Sequence, residues 1–439
     1  MGTVSKGTRP GDTVGTVCIL AAGQGSRMRS AGPKVLHPLC GRPMLGWVLD
    51  HARSLDPERI VVVVGHGGEE VRSWLESEEP DPRVRFVVQA ERLGTGHAVL
   101  CALDELREGP AGPVVVLYGD MPLLTAESLS RLLVSKESAR SAALTAVPQH
   151  PRGFGRILRD EAGKFAGVVE EKDASPDQLA IREVNVGVYA FEKQDLLDFL
   201  PKLSNDNAQG EYYLTDLPAM VLADGGEVST LTLTDEREAI GINTLSHLAE
   251  ARSEIQARIL EGHLQNGVRI VDPATTFVDY GVTIGAGTKI MPCVVIHAGV
   301  SIGEDCDIGP FAQLRPGSRM LRGSKLGNFC EMKNSTLGEG AKASHLTYLG
   351  DATIGAKANI GAGTIFANYD GKNKHPTDVG EGAFIGSGSV LIAPCTVGDG
   401  ALTGGGAVVT PNTEVPPGDV WVGVPARSIG KRKAQNTKD

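Results

Sequence analysis

The C-terminal part of the chain repeats an aliphatic residue every six positions, and this period constrains the fold more than any other feature of the sequence. The series starts at Ile284 and recurs at each sixth position through Leu314. After local interruptions it returns at Leu337 and Ile354, and it reaches Val397. A fixed period indicates a stack of similar units. Each six-residue unit predicts one flat side of a triangular coil, with the aliphatic side chain pointing inward.

Composition agrees with a narrow repeated coil. The chain has 56 glycines and only 5% aromatic residues. Glycine tolerates the unusual φ angles that coil corners need, and a narrow interior leaves little room for aromatic rings. Residues 267–427 therefore resemble the left-handed parallel β-helix of hexapeptide-repeat acyltransferases. The resemblance implies a homotrimer whose active sites lie in the clefts between neighbouring subunits.

Residues 16–243 have a different sequence pattern, in which short β-branched runs alternate with amphipathic stretches. Strands are predicted at 16–20, 60–64, 85–88 and 114–118, and helices at 44–54, 69–76 and 96–106. This alternation predicts an α/β fold of parallel βαβ units in a doubly wound, Rossmann-like sheet. Ligands of such sheets lie beyond the carboxyl ends of the strands. Residues 244–266 form one long amphipathic pattern, which predicts a helix linking the two domains.

Charge and cysteine usage narrow the class of function. The formal net charge is −10, so there is no basic excess to neutralise the phosphates of a nucleic acid. No apolar run is long enough for a membrane span. The seven cysteines are scattered without a CxxC pair, which favours reduced thiols in a cytoplasmic protein. Residues 1–15 are expected to be a flexible tail or the product of a start codon placed too early, and residues 428–439 a second tail.

A glycine-containing loop follows the first predicted strand directly. It reads Leu20-Ala21-Ala22-Gly23-Gln24-Gly25-Ser26-Arg27-Met28 and continues to Pro33-Lys34-Val35-Leu36. Successive backbone N–H groups in such a loop can cradle a triphosphate. The loop lacks the third glycine of a dinucleotide fingerprint and the Gly-Lys-Ser/Thr of a P-loop. The combined pattern resembles sugar-nucleotide pyrophosphorylases, which implies that Arg27 and Lys34 hold the phosphates while pyrophosphate leaves.

Two later loops fit the same nucleotide site. Gln89 comes shortly before a turn at Gly94 and Thr95, and a glutamine amide can hydrogen-bond the edge of a pyrimidine. The strand predicted at 114–118 runs into Tyr118-Gly119-Asp120. A carboxylate at a strand end is a natural ligand of Mg²⁺, although a single aspartate there is as often a helix cap. The Tyr-Gly-Asp setting favours the metal.

Further motifs occupy residues 153–157, 169–174, 183–187, 207–216 and 241–243. In this order they resemble the family of bifunctional enzymes that act as N-acetylglucosamine-1-phosphate uridylyltransferase and glucosamine-1-phosphate N-acetyltransferase. The resemblance implies that UTP binds through Leu20, Ala21, Ala22, Gly23, Lys34, Gln89, Gly94, Thr95, Tyr118 and Gly119. It implies that Gly155, Glu170 and Asn185 hold N-acetylglucosamine-1-phosphate, and that Asp120 and Asn243 share Mg²⁺.

The repeat is interrupted where an acetyl-transfer site is expected. Residues 368–378 break the six-residue period, and such a loop can leave the coil and reach a neighbour's cleft. His345 is the candidate base, because an amine must lose a proton near neutral pH. The family resemblance implies that glucosamine-1-phosphate binds through Arg315, Lys333, Tyr348, Asn359 and Lys374. It implies that acetyl-CoA binds through Ala362, Asn368, Tyr369, Ser387, Gly405 and Arg427, and that Glu331 orients groups near the base.

The chain departs from the family pattern at three points. Where the family has Asn-Thr-Gly, this chain has Asn185-Val186-Gly187, so a hydroxyl is missing from the expected sugar site. The coil before Arg315 is shorter by about one turn. No residue near the end matches the family's usual arginine for coenzyme A, and the final Arg427 is the substitute.

The expected function is therefore the synthesis of UDP-N-acetylglucosamine from acetyl-CoA, UTP and a sugar phosphate, for the peptidoglycan and lipopolysaccharide pathways that the resemblance implies. Two alternatives stay open. One is a nucleotidyltransferase whose β-helix only trimerises or regulates, and the grouping of His345, Asn368, Tyr369 and Lys374 argues against it. The other is a nonenzymatic UDP-sugar sensor, which the intact set of Arg27, Lys34 and Asp120 disfavours.

Overall fold

The computed structural model describes residues 14–23, 25, 28, 32–65 and 67–432. The chain divides into two compact units, Met1–Arg252 and Ser253–Asp439, and the helix Leu245–Gln265 crosses that division. The expected fold class is confirmed, because an α/β unit is followed by parallel sheets of hexapeptide repeats.

The first unit is built on one large mixed sheet. Its strands are β1 Thr16–Ala21, β2 Pro38–Leu39, β3 Arg42–Pro43, β4 Arg59–Val64, β5 Val84–Val88, β6 Val114–Tyr118, β7 Ser141–Ala146, β8 Arg156–Arg159, β9 Phe165–Val169, β10 Val184–Phe191 and β11 Val228–Thr232. The order is β11-β7-β10-β6-β1-β4-β5, with β8 and β9 attached at β10, while β2 pairs only with β3. The predicted parallel pattern fails at β10, which is antiparallel to β6 and β7. The hairpin β8–β9 and the short helix Pro176–Leu179 precede it, and neither is the long crossover that a parallel neighbour needs.

Apolar side chains cover both faces of this sheet. Val17 and Ile19 of β1 belong to one apolar cluster, whereas Cys18 and Leu20 belong to another. Every residue of β1 is buried, as expected for a central strand that lies parallel to both β4 and β6. The loop after β1 therefore emerges at the middle of the carboxyl edge.

The helices of the first unit flank the sheet. They are Met44–Ser54, Gly68–Glu78, Thr95–Cys101, Leu103–Glu108, Ala126–Lys136, Pro176–Leu179, Lys193–Phe199 and Leu217–Ala223, with 3₁₀ turns at Lys34–Leu36, Leu200–Lys202, Leu214–Asp216 and Glu236–Ala239. The single helix predicted at 96–106 is wrong, because Ala102 departs from helical geometry at φ −86° and ψ 5°. The Thr125 side chain caps Ala126–Lys136 by accepting a hydrogen bond from the Ser128 N–H.

The second unit is a coil with three faces, each a sheet of short strands. The first face contains Arg269–Ile270, Lys289–Ile290, Asp307–Ile308, Lys325–Asn328, Lys342–His345, Asn359–Ile360, Phe384–Ile385, Leu402–Thr403, Asp419–Val422 and Arg427–Lys431. The second contains Phe277–Val278, Val295–Ile296, Gln313–Leu314, Glu331–Lys333, Tyr348–Gly350, Ile365–Ala367, Val390–Ile392 and Val408–Val409. The third contains Thr283–Ile284, Ser301–Ile302, Arg319–Met320, Thr336–Leu337, Ala352–Ile354, Thr377–Val379, Cys395–Val397 and Thr413–Val415, and a 3₁₀ turn lies at Pro273–Thr275.

The six-residue period has the predicted structural meaning. Ile290 pairs in register with Ile308, so one coil of this region takes 18 residues, or three sides of six. Ile290, Ile296 and Ile308 are each 0% exposed. The aliphatic residues therefore form a continuous column inside the coil, and a second buried position in most repeats, such as Val294, Val300 and Cys306, packs beside them.

Both expected tails are partly wrong. Val14 is 1% exposed, and Gly15 donates its N–H to the carbonyl oxygen of Pro113 at 3.1 Å, so these residues belong to the first unit. Residues 1–13 lie outside the described residues. At the other end, the strand Arg427–Lys431 pairs antiparallel with Asp419–Val422. The last coil would otherwise expose a row of backbone hydrogen-bonding groups, and this pairing covers it.

Among the described helices, none is long and apolar enough to cross a membrane. Cys18, Cys101, Cys293, Cys306, Cys330 and Cys395 form no disulfide. Burial raises the pKa of Cys18 to about 12 and that of Cys395 to about 11, so these thiols stay protonated and unreactive.

Candidate active sites

Two adjoining cavities of the first unit contain most of the residues expected there. The larger has a volume of about 470 Å³ and the smaller about 220 Å³, and both are lined by Thr95, Tyr118, Asp120 and Glu211. The residues expected to bind the nucleotide and those expected to bind the sugar phosphate line different cavities. The smaller cavity is lined by Leu20, Ala22, Gly23, Lys34, Gln89 and Gly94, and the larger by Gly155, Glu170, Asn185 and Asn243.

Ala21 and Gly119 lie behind this lining. The Gly119 N–H donates to the carbonyl oxygen of Leu20 at 2.9 Å, and a Cβ at Gly119 would lie 3.3 Å from that of Ala21. These two residues therefore support the loop between β1 and Lys34 without facing the cavity. Arg27, which was expected at the phosphates, lies outside the described residues.

Lys34 holds Asp120, the acid that both cavities share. Its Nζ contacts Asp120 Oδ2 and lies 2.9 Å from Asn243 Oδ1, and Lys34 is only 6% exposed. The lysine stem passes under Gly25, where a Cβ would lie 2.7 Å from the Cβ of Lys34. Gly25 also has φ +63°. Any larger residue at this position would both strain the backbone and displace the lysine.

Asp120 and Asn243 are the predicted magnesium ligands, and the fit can be judged from their geometry. Their side-chain oxygens converge on a single cationic nitrogen, the Nζ of Lys34. A carboxylate and an amide oxygen are the hard ligands that Mg²⁺ takes, with phosphates and waters completing its octahedron. The donor set therefore fits the ion, with the ammonium group as its stand-in. Within the described part of the chain no cluster of three or more His, Cys, Asp or Glu side chains occurs, so substrate oxygens would have to complete the shell.

Gln89 is fixed at the edge of the smaller cavity. Its side chain is 4% exposed, and its Nε2 donates to the carbonyl oxygen of Gly94 at 3.0 Å and to Nδ1 of His97 at 3.1 Å. Both N–H groups of the amide are thus used within the protein. The carbonyl oxygen of the amide is the part left to meet a base.

The larger cavity contains a half-buried carboxyl group, that of Glu170. Oε1 of Glu170 accepts a hydrogen bond from the hydroxyl of Thr215 at 3.1 Å, and burial raises the pKa of Glu170. Asn185 is 7% exposed, and its Oδ1 accepts from the N–H of Gly187 at 3.2 Å. A Cβ at Gly187 would lie 2.6 Å from the ring of Tyr118. Glycine is therefore needed where this turn crosses the tyrosine.

His345, the candidate base of the second unit, is exposed at the end of its strand. Its Nδ1 lies 2.5 Å from Oδ1 of Asn328, the residue that pairs with it in register one coil earlier. An amide oxygen only accepts hydrogen bonds, so Nδ1 carries the proton and Nε2 is the basic nitrogen. Glu331 lies on the second face and accepts from Arg315 at 2.7 Å. The contact that orients the base therefore comes from Asn328, not from Glu331.

Three basic side chains, those of Arg315, Lys333 and Lys374, gather near the end of the second face. Arg315 and Lys333 follow each other along one edge of the coil, where the Arg315 N–H donates to the carbonyl oxygen of Met332. The pKa of Lys333 is lowered, first by the ammonium group of Lys374 and further by Arg315. Like charges at this spacing repel each other unless an anion joins them. The cluster is therefore suited to a phosphate group.

Lys374 reaches this cluster from the loop that breaks the repeat. Asp370 organises the loop by accepting from the N–H groups of Lys372 and Asn373 at 2.8 and 2.7 Å and by pairing with Nε2 of His375 at 2.7 Å. These contacts lower the pKa of Asp370 to about 2. The lysine of this loop lies beside Lys333 of the same chain, and the expected reach of the loop into a neighbouring subunit's cleft stays a prediction.

Tyr348 and Asn368 meet over Gly350. A Cβ there would lie 2.5 Å from the hydroxyl of Tyr348 and 2.7 Å from Nδ2 of Asn368. Asn368 also donates to Asp351, whereas Tyr369 is 60% exposed and donates its hydroxyl to the carbonyl oxygen of Gly371. Asn359 is separate from this group, because it lies on the first face.

Three of the residues expected at acetyl-CoA, namely Ala362, Ser387 and Gly405, form a column that begins at the base. Backbone hydrogen bonds link the coils at the carbonyl oxygens of His345, Ala362 and Ser387, which accept from Gly363, Gly388 and Gly406 at 3.3, 2.7 and 2.8 Å. Gly405 continues the series, with its Cβ position 3.5 Å from the Ser387 oxygen. An elongated ligand fits along such a column. Arg427 lies in the exposed last strand and donates to the carbonyl oxygen of Ala426.

Sequence reasoning assigned no role to several residues of these sites, and three of them bear on the chemistry. Thr215 and His247 line the larger cavity, and Asn328 contacts the candidate base. Only Thr215 carried a signal, since it lies in the motif at 207–216. The position of Asn328 depends on the pairing of two coils, which the sequence does not show directly.

These features define a class of protein, an α/β nucleotidyltransferase joined to a hexapeptide transferase. Residues 17–211 match the MobA-like NTP transferase domain, and residues 281–316 and 376–411 match the bacterial transferase hexapeptide (six repeats). The bifunctional protein GlmU of Stutzerimonas stutzeri is 47% identical over 412 residues, which cover 86% of this chain and 90% of that protein. Those of Burkholderia mallei and Burkholderia thailandensis are 44% and 45% identical, with the same coverage. The chain belongs to the GlmU family of bifunctional proteins, as its motifs predicted.

Proposed function

We propose that the chain makes UDP-N-acetylglucosamine in two steps, one in each unit. The second unit transfers acetyl from acetyl-CoA to the amine of glucosamine-1-phosphate and releases coenzyme A. The first unit then transfers the uridylyl group of UTP to N-acetylglucosamine-1-phosphate and releases pyrophosphate. The observation that carries the proposal is the meeting of two cavities at Asp120, since a nucleotide in one and a sugar phosphate in the other would react there.

Uracil is the base that the smaller cavity fits. The Gln89 carbonyl oxygen would accept from N3–H of uracil. The Gly94 N–H, which donates to no other described residue, would donate to O4 of uracil. Cytosine presents an acceptor and an amino group at these positions, so it would mismatch both. Two misplaced polar groups in a buried site give strong discrimination.

Phosphoryl chemistry would occur where Lys34 meets Asp120. The phosphate oxygen of the sugar attacks the α-phosphorus of UTP in line, and the bond to pyrophosphate breaks. Lys34, once released from Asp120, would hold the departing phosphates together with Arg27. Mg²⁺ held by Asp120 and Asn243 would offset the negative charge that develops on the pyrophosphate.

Acetyl transfer would occur beside His345. Nε2 of His345 accepts the proton as the amine nitrogen forms a bond to the thioester carbon, and the thiol of coenzyme A leaves with a proton. The Ala362 N–H donates to no other described residue and would stabilise the oxyanion. Arg315, Lys333 and Lys374 would hold the sugar phosphate. This grouping of three basic side chains supports a phosphate site over a β-helix that serves only as a scaffold.

The assembly is proposed to be a homotrimer formed through the β-helix. Phe311 and Phe329 stack with ring centroids 5.1 Å apart, yet they are 52% and 55% exposed, and Leu346, next to the candidate base, is 59% exposed. An apolar strip on neighbouring coils supports burial against another copy of the chain. Light scattering of the full chain tests this, and a monomer with full acetyltransferase activity would refute it.

The acetyl-transfer assignment is tested by His345→Ala, with acetyl-CoA consumption measured in the presence of glucosamine-1-phosphate. We expect a loss of roughly 10²–10⁴-fold, the usual contribution of a general base, with uridylyl transfer unchanged. His297→Ala is the matched control, because that imidazole belongs to the same β-helix but is engaged by Asp279 and Gln313 at 3.3 and 2.9 Å. Near-normal acetyl transfer by His345→Ala would move the base elsewhere.

A further inference from the structure

His97 lies behind Gln89 and is not part of the lining of the nucleotide cavity. Its ring stacks on Tyr212 with centroids 6.0 Å apart and an interplanar angle of 30°. Sγ of Cys101 lies 3.8 Å from its Nε2. The imidazole is thus held in place, with its Nδ1 directed at the amide of Gln89.

The direction of the hydrogen bond between these residues follows from the chemistry of the groups. Nε2 of an amide only donates, so Nδ1 of His97 must accept and the imidazole proton lies on Nε2. The carbonyl oxygen of Gly94 accepts the second N–H of Gln89. If the amide turned over, its oxygen would face and repel the carbonyl oxygen of Gly94, and it would also meet the lone pair of His97 Nδ1 as long as the imidazole proton stays on Nε2.

The orientation of this amide decides which pyrimidine fits. With its oxygen toward the cavity, Gln89 complements the N3–H of uracil. With its nitrogen toward the cavity, it would complement the unprotonated N3 of cytosine. The choice between the two bases therefore depends on what holds the amide from behind.

We infer that His97 determines nucleotide specificity: by accepting a hydrogen bond from Gln89, it keeps the amide oxygen toward the base and selects uracil over cytosine. The inference rests on the proposed uridylyl transfer. His97 acts through Gln89 and does not itself touch the nucleotide. Its role is therefore one of positioning.

The test compares kcat/KM for UTP and CTP in the full-length enzyme and three variants. His97→Phe keeps a ring for the stack on Tyr212 but has no acceptor, so we expect the preference for UTP to fall roughly tenfold, about the value of one neutral hydrogen bond. The loss should come mainly from KM for UTP. His97→Asn places an amide oxygen near the position of Nδ1 and should retain most of the preference.

Gln89→Ala separates the inference from the proposed function. If that variant leaves the UTP to CTP ratio unchanged, the base does not lie at Gln89, and the proposed nucleotide site is wrong. If Gln89→Ala lowers the ratio but His97→Phe does not, the positioning role alone is refuted. Equal losses of kcat in His97→Phe and His97→Asn with an unchanged ratio would also refute it. Should His97→Phe not fold, His97→Leu replaces it, with the melting temperature and acetyl transfer as checks of integrity.

Discussion

Replacing Asn328 by leucine removes the only described contact of the His345 ring while keeping a side chain of similar size. The hydrogen bond between Nδ1 and Oδ1 is 2.5 Å long. With a neutral imidazole such a bond contributes about 0.5–1.5 kcal/mol, and with an imidazolium about 1.5–3 kcal/mol. Because the imidazole gains its proton during the reaction, the difference of about 0.5–2 kcal/mol is lost from the transition state. This corresponds to a fall in kcat of roughly 2- to 30-fold.

The assay is steady-state acetyl transfer from acetyl-CoA to glucosamine-1-phosphate across pH. KM for the sugar phosphate should hardly change, because Arg315 and Lys333 bind its phosphate in the proposed site. Asn328→Asp restores an acceptor, and its carboxylate favours the imidazolium, so kcat should recover at high pH while the acid limb of the profile moves to higher pH. Uridylyl transfer by the same variants is the internal control. Identical pH profiles for the leucine and aspartate variants would refute the positioning role of Asn328.

Three further outcomes are expected. Asp120→Ala should abolish the formation of UDP-N-acetylglucosamine and spare acetyl transfer, because the proposed sites belong to separate compact units; loss of both activities in a folded variant would contradict this. Glu170→Gln should weaken uridylyl transfer but raise the melting temperature of the first unit at pH 8. Burial raises the pKa of Glu170 in the folded state. Ionising this carboxyl group therefore costs no stability below its unfolded pKa, and the cost grows as the pH rises through its folded pKa. An equal rise in melting temperature at pH 4 would show that the stabilisation has another cause. Asp370→Ala should raise KM for glucosamine-1-phosphate several-fold, roughly the effect of one or two lost hydrogen bonds on the placement of Lys374, and an unchanged KM would separate the loop from substrate binding.

The sequence alone determined the fold class and the family. The six-residue period required a coil with three flat sides, because inward aliphatic residues at that spacing cannot be buried by a helix or by an ordinary alternating strand. In the first unit, the loop after β1 predicted a nucleotide site, because its glycines, Lys34 and the later Asp120 follow one another in the order that resembles sugar-nucleotide pyrophosphorylases. These signals depend on residues that are close together in the sequence, so they can be identified without knowing how distant segments pack.

Contacts between distant parts of the chain were decided by the tertiary structure. The antiparallel course of β10 depends on a preceding hairpin, and the short helix that ends at Cys101 depends on backbone angles at Ala102. Asn328 reaches His345 only because one coil stacks on the next, and Lys374 reaches Lys333 only because Asp370 closes the loop. The acceptor behind Gln89 is likewise provided by a helix that follows it. Residue spacing predicts which groups share an element, but the angle and register at which elements pack decide which atoms come within a hydrogen bond's length.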